Sequence, residues 1–177
     1  MEIIDSSSTQ HNILPTANPA GFLLRFVAYI IDRLIVGFVS LAVIFPILAI
    51  MGISLFGLSE LDTFRNFENL EDNEKVALVM AAIAAYSILI IIAVSINWLY
   101  YSLFESSERQ ATPGKMAVGI KVTSTNGQRI SFLNATGRFF GKIISGMLFG
   151  FGYIMILFTE KKQGLHDLMA GTLVVKK

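Results

Sequence analysis

From Leu34 to Leu58 the chain runs 25 residues without a charge, LIVGFVSLAVIFPILAIMGISLFGL. About 20 apolar residues suffice to cross a bilayer core, so this stretch reads as a transmembrane helix. Asn18 suits an N-cap and Pro19 a first helical position, which predicts a helix that begins well ahead of the apolar run. Between them lies GFLLRFVAYIIDR, with Arg25, Asp32 and Arg33. Arg25 and Asp32 stand seven residues apart and therefore share one helix face. An opposite-charge pair on a helix entering a membrane is the sharpest chemical feature of the chain. Pro46 inside the run predicts a packing kink near Ala42–Pro46.

A second apolar segment spans about 76–104, and a third about 132–158. In the second, Ala77, Ala81 and Ala85 repeat every four residues, a small-residue stripe suited to close contact with the first span. Asn97 near its end is a candidate interhelical hydrogen bond or substrate group. Trp98, Tyr100 and Tyr101 follow and mark a lipid–water interface. The third segment carries Arg138 and Lys142 on one face, then Gly141, Gly146, Gly150 and Gly152. Only Ile143 to Phe158, 16 residues, is charge-free, short for a full span. Its glycines permit either a helix contact or a break.

The polar stretches add little chemistry. Residues 1–17 lack an apolar core behind a basic start, and read as a flexible polar tail rather than a cleavable signal. The loop 59–75 holds six acids against two bases and reads as solvated. Between the second and third segments, Thr112 caps a short helix with Pro113 at its first position and Gly119 as its stop. Ile120 to Ser124 alternates, Asn126-Gly127 signals a tight turn, and Gln128 to Ile130 returns as a second strand. Pro113-Gly114-Lys115 is no phosphate loop: the earlier glycine, the following hydroxyl residue and the leading strand are all missing. In the tail, Gly171 to Val175 reads as a strand, preceded by His166-Asp167.

ATPGKMAVGIKV (Ala111 to Val122), Arg25 and Asp32 in the first helix, and Asp167 in QGLHDLMAGT resemble, in that order, the RDD family of small integral membrane proteins. That family is named for one arginine and two aspartates. The resemblance covers most of the chain from Gly21 onward. It implies the architecture of a membrane domain over 18–177, and for function only a transport role, with ion or proton antiport suggested for some members.

Composition agrees: 54% of the 177 residues are apolar and 15% charged, against about 25% charged in soluble domains. The absence of cysteine excludes disulfides and thiol chemistry. Two histidines do not make a metal site, no nucleophile accompanies His166-Asp167, and no basic, aromatic-interleaved patch suits nucleic acid. The expectation is an all-α, multi-pass protein of a bacterial inner membrane. It has two full transmembrane helices, a third Gly-rich segment that spans or re-enters, and a small cytosolic β element. Neither cofactor nor metal nor enzymatic activity is expected. Lys and Arg favour the cytoplasm, which places the N-terminus inside and the acidic loop 59–75 outside.

Carboxylates in membrane segments are functional candidates, so Arg25, Asp32 and Asp167 lead, with Arg33, Asn97 and His166 behind them. Two roles compete. As an accessory or scaffold subunit, the chain uses Arg25 and Asp32 to lock helices together. As a transporter or cation/proton antiporter unit, it works as an oligomer through Asp32, Arg25 and Asp167. Partners are the lipid bilayer, further copies or other membrane proteins, and a small cation in the second case. A C-terminus on the N-terminal side is expected if the third segment re-enters.

Overall fold

The structure is a computed structural model that describes residues 18–56 and 69–177. The expected tail 1–17 and most of the loop 59–75 lie outside the described residues. Two helices of 35 residues each dominate: α1 (Phe22–Phe56) and α2 (Asp72–Ser106). Both are long and apolar enough to cross a membrane. At 1.5 Å per residue each extends about 52 Å, well beyond a hydrocarbon core of about 30 Å. α1 continues through Pro46 to Phe56. Glu71 and Glu74 form a capping box at the start of α2, where acidic groups complement the helix dipole.

The two spans lean on other elements more than on each other. α1 packs mainly on α3 (Pro113–Ala117) and α2 mainly on α4 (Phe132–Met147). The expected Ala stripe does not join the spans: Ala77 and Ala81 are exposed and Ala85 is half-exposed. Most large apolar side chains of both helices face outward, from Phe26 and Phe38 to Val79 and Ile91. That is the pattern of surfaces covered by lipid or by other membrane helices.

The third segment breaks. After α4 the chain reverses at Phe149 and Gly150, continues as α5 (Phe151–Ile154) and a 3-10 turn (Met155–Leu157), and bends by 115°. Gly150 sits at φ 80°, left-handed backbone that a residue without Cβ adopts freely. The chain then returns through α6 (Leu165–Met169) to β2 (Thr172–Lys176).

β2 pairs antiparallel with β1 (Ile120–Ser124), Val122 opposite Val174. Since β1 precedes α4 and β2 follows the bend, the bent segment starts and ends on one side. The second strand expected from Gln128 to Ile130 does not form; Asn126-Gly127 turns the chain, and β1 takes its partner from the tail, where a strand was expected over Gly171 to Val175. A third extended segment comes instead from the N-terminus. Pro19 bridges Val175, the Ala20 N–H donates to the Val174 carbonyl (2.8 Å), and the Lys176 N–H to the Asn18 carbonyl (2.9 Å). Asn18 and Pro19 therefore do not open α1, which begins at Phe22. Proline has no N–H to lose on a sheet edge, so the extended role is compatible with it. Ala20, Ala28, Ile120, Val122 and Val174 form a small core where this sheet meets the start of α1.

Candidate functional site

Six charged side chains meet beneath this sheet, contributed by α1, α2, α3, α4 and α6. Asp167 lies in the first turn of α6, fully buried, and accepts the Gly164 N–H (3.2 Å). One of its oxygens takes Arg25 Nη1 and the other Arg138 Nη1, each at 2.5 Å. Arg138, itself 1% exposed, passes its Nε to Glu105 Oε2 (2.9 Å) and a second bond to Thr172 Oγ1 (2.6 Å). The other oxygen of Glu105 receives Lys115 Nζ at 2.5 Å and Lys142 Nζ at 3.3 Å. The result is one chain: Arg25, Asp167, Arg138, Glu105, then Lys115 and Lys142. Arg25 is held further by the carbonyls of Ala20 (3.1 Å) and Lys162 (2.5 Å).

The expected Arg25–Asp32 pair is not formed. A shared helix face allows the contact but does not compel it, and Asp167 offers Arg25 a carboxylate that Asp32 has given to other donors. Asp32 is 1% exposed and accepts three hydrogen bonds, from Tyr100 Oη (2.8 Å), Thr112 Oγ1 (2.6 Å) and the Gly114 N–H (2.8 Å). It docks the N-terminal turn of α3 onto α1, where the helix dipole also favours an anion. Thr112 caps that helix, as its sequence suggests.

The secondary candidates scatter. Arg33 lies one turn from Tyr29 on the surface of α1, Nε to Oη at 2.9 Å, outside the network. Asn97 bonds Ala93 of its own helix (2.9 Å) rather than a neighbouring one. His166 is buried beside the network, its Nε2 at 3.4 Å from Asp167 and its Nδ1 without a partner. Glu105, Lys115, Arg138 and Lys142 were not among the candidates. A lone acid ending one apolar segment and two bases starting another was the signal available, since unlike charges at membrane depth seek each other.

Burial disfavours the charged form of each group, and the network answers it. Burial raises the Asp167 carboxyl, but its cations, led by Arg138, hold it well below the ordinary carboxylate range. Burial pushes Lys115 down to about 8 against the pull of Glu105. His166 falls to about 3, again through burial first; the Asp167 carboxylate opposes the shift, and Arg138, Lys142 and Arg25 add to it. Asp167 thus stays ionised and His166 neutral near pH 7, so neither is poised to exchange protons there. Between pH about 6.5 and about 3 the unfolded chain takes up a proton that folded His166 refuses. Stability therefore falls as pH drops through that window, by up to about 1.4 kcal/mol per unit. Thermal melting of His166→Gln in detergent is expected to show a flatter profile below pH 6.5 than wild type and the same profile above it.

Two helices long and apolar enough to cross a membrane, a bent third apolar segment and a sheet joining the tail to the residues before α1 define a small helical membrane protein with an internal ion network. The chain belongs to the RDD family, whose model matches residues 19–171. It is 38% identical over 159 residues to the Bacillus subtilis (strain 168) protein YxaI, described as uncharacterized, covering 90% of this chain and 98% of that relative. It is 28% identical over 181 residues to the uncharacterized membrane protein YteJ of the same organism, covering 99% of this chain and 92% of YteJ. No solved structure matches. Of the three residues that resemble the family signature, Arg25 and Asp167 meet directly, and Asp32 stands apart at the start of α3.

Proposed function

We propose that this protein is an accessory or scaffold subunit of a bacterial inner membrane, not an enzyme, and that it assembles with further copies or with other membrane proteins. One observation carries the reading: the carboxylates Glu105 and Asp167 are consumed by cations within the chain, and Asp32 by three donors of its own. Such a network fixes how elements sit against one another; buried ionic groups often serve specificity rather than net stability. The spans it anchors leave their apolar faces outward, open to lipid and partner helices. Orientation follows the basic residues: the network, the sheet and both termini in the cytoplasm, and the loop 59–75 outside.

Cation or proton antiport through Asp32, Arg25 and Asp167 is the second reading. It is favoured by the Asp32 side chain lining a cleft beside the network. One set of experiments separates the two. The chain has no cysteine, so single cysteines at Ala77, Ala81 and Tyr86 give a clean cross-linking series in native membranes. The scaffold reading expects discrete cross-linked species from some positions and not others, with no sodium or proton flux in vesicles. Flux abolished by Asp32→Asn would reverse the order whatever the cross-links, since an antiporter unit also works as an oligomer.

A further inference from the structure

A cleft of about 680 Å³ opens between α1, α2 and α4, alongside the ion network. One end is strongly cationic. Arg25, Arg33, Lys115, Arg138 and Lys142 line it, against the single carboxylate of Asp32. Counting Glu105 and Asp167, which bond those cations from behind, still leaves two positive charges in excess. Much of the remaining wall is apolar, with Phe22, Phe26, Val94, Phe139 and Ile143. Phe26 and Ile143 are 47% and 44% exposed, so this wall runs directly into the outer faces of two membrane segments. Two lining residues carry polar atoms without a hydrogen-bond partner among the described residues: Tyr101 Oη and His166 Nδ1, in side chains 9% and 4% exposed. Lys142, above the Tyr101 ring at 4.5 Å, is only loosely held by Glu105 at 3.3 Å.

We propose that this cleft is a binding site for an anionic glycerophospholipid. The headgroup phosphate sits at the cationic end against Lys142 and Arg25, with the Tyr101 hydroxyl as a further donor. An acyl chain lies along Phe26, Phe139 and Ile143. Charge complementarity selects an anion, because among the described residues the lining cations outnumber the carboxylates they face, and Lys142 is only loosely held by Glu105. The apolar wall selects one with a tail: a free phosphate leaves that surface unfilled, and a neutral lipid leaves the cations unmatched. The inference does not depend on the scaffold reading, since the cleft is built by one chain.

The test uses the full chain purified in a neutral detergent. Phosphatidylglycerol, phosphatidylcholine and inorganic phosphate are each titrated while thermal unfolding and native mass spectra are recorded. Phosphatidylglycerol is expected to raise the melting temperature and appear as a retained one-to-one adduct, and the other two to do neither. Lys142→Gln removes a charge-assisted contact and is expected to weaken that binding about tenfold. Ile143→Trp fills the apolar wall without touching an ion pair and is expected to weaken it as much, with unchanged circular dichroism. If Lys142→Gln does not fold, Ile143→Trp decides alone. Equal stabilisation by phosphatidylcholine means no headgroup is read and overturns the proposal. Stabilisation by inorganic phosphate that survives Ile143→Trp assigns a free-anion site instead. Phosphatidylglycerol binding undiminished by Ile143→Trp places the lipid elsewhere on the surface.

Discussion

Arg138→Leu is expected to leave the protein barely foldable. Arg138 is the middle of the network, and its loss strips Glu105 of one partner and Asp167 of another, both within the interior. Breaking a buried ion pair by removing one member costs about 3–5 kcal/mol, because the other charge stays buried and unmatched. Here two carboxylates are exposed to that penalty, although Arg25, Lys115 and Lys142 still reach them. The loss belongs at the upper end of that range, enough to consume much of the stability of a small domain. The triple change Arg138→Leu, Glu105→Gln, Asp167→Asn removes the stranded charges along with the cation. It is expected to recover part of the loss, so the three changes are strongly non-additive. Thermal melting in detergent and yield from membranes read both outcomes. A melting point for Arg138→Leu close to wild type would mean that the network contributes little, and additive effects would mean that its members act separately.

The membrane architecture was readable in the sequence because hydropathy is local. Twenty apolar residues declare a span wherever the rest of the chain goes, while the short charge-free length after Lys142 and its glycines left a helix contact and a break both open, and the chain bends at Gly150. Thr112-Pro113 declared a helix start by the same kind of short-range chemistry. Partner choice is not local. Arg25 and Asp32 are neighbours on a helix face, yet Arg25 bonds an aspartate 142 positions away and Asp32 a threonine and an amide 80 and 82 positions away. Periodicity ranks contacts along one helix and is silent about elements that pack from the side. The hairpin partner went astray for the same reason, although the tail strand formed where it was expected. Asn126-Gly127 favours a local hairpin, but β1 found a better-buried partner in β2, and Asn18 to Ala20 joined as an edge. The Ala stripe shows the converse error. Small residues permit a close helix contact without saying which helix, and among the described residues no helix covers Ala77 or Ala81.

Gly114→Ala is expected to disable the junction between α3 and α1, though it adds one methyl group. The backbone at Gly114 lies so close to α1 that a Cβ there would stand 2.3 Å from the carbonyl oxygen of Ala28 and 2.7 Å from the Asp32 carboxylate. Neither is the free end of a flexible side chain. The Ala28 oxygen belongs to a membrane helix, and Asp32 is fixed by Tyr100 and Thr112. Something must give, and the five-residue α3 is the lighter body. Overpacking of this kind costs about 1–3 kcal/mol. Lifting α3 also breaks the Gly114 N–H bond to Asp32, a bond to a charged group worth about 1.5–3 kcal/mol more. Lys115 is the next residue of α3, so the same displacement draws its ammonium away from Glu105 and opens one end of the ion network. The variant is therefore expected to melt well below wild type and to resemble Lys115→Met in its remaining weaknesses. Asp32→Asn tests the mechanism from the other side. It keeps the volume but weakens what the carboxylate accepts, so its effect is expected to be smaller than that of Gly114→Ala. A Gly114→Ala variant with wild-type melting would mean that α3 tolerates a wider gap from α1, and the close approach would then carry no structural weight.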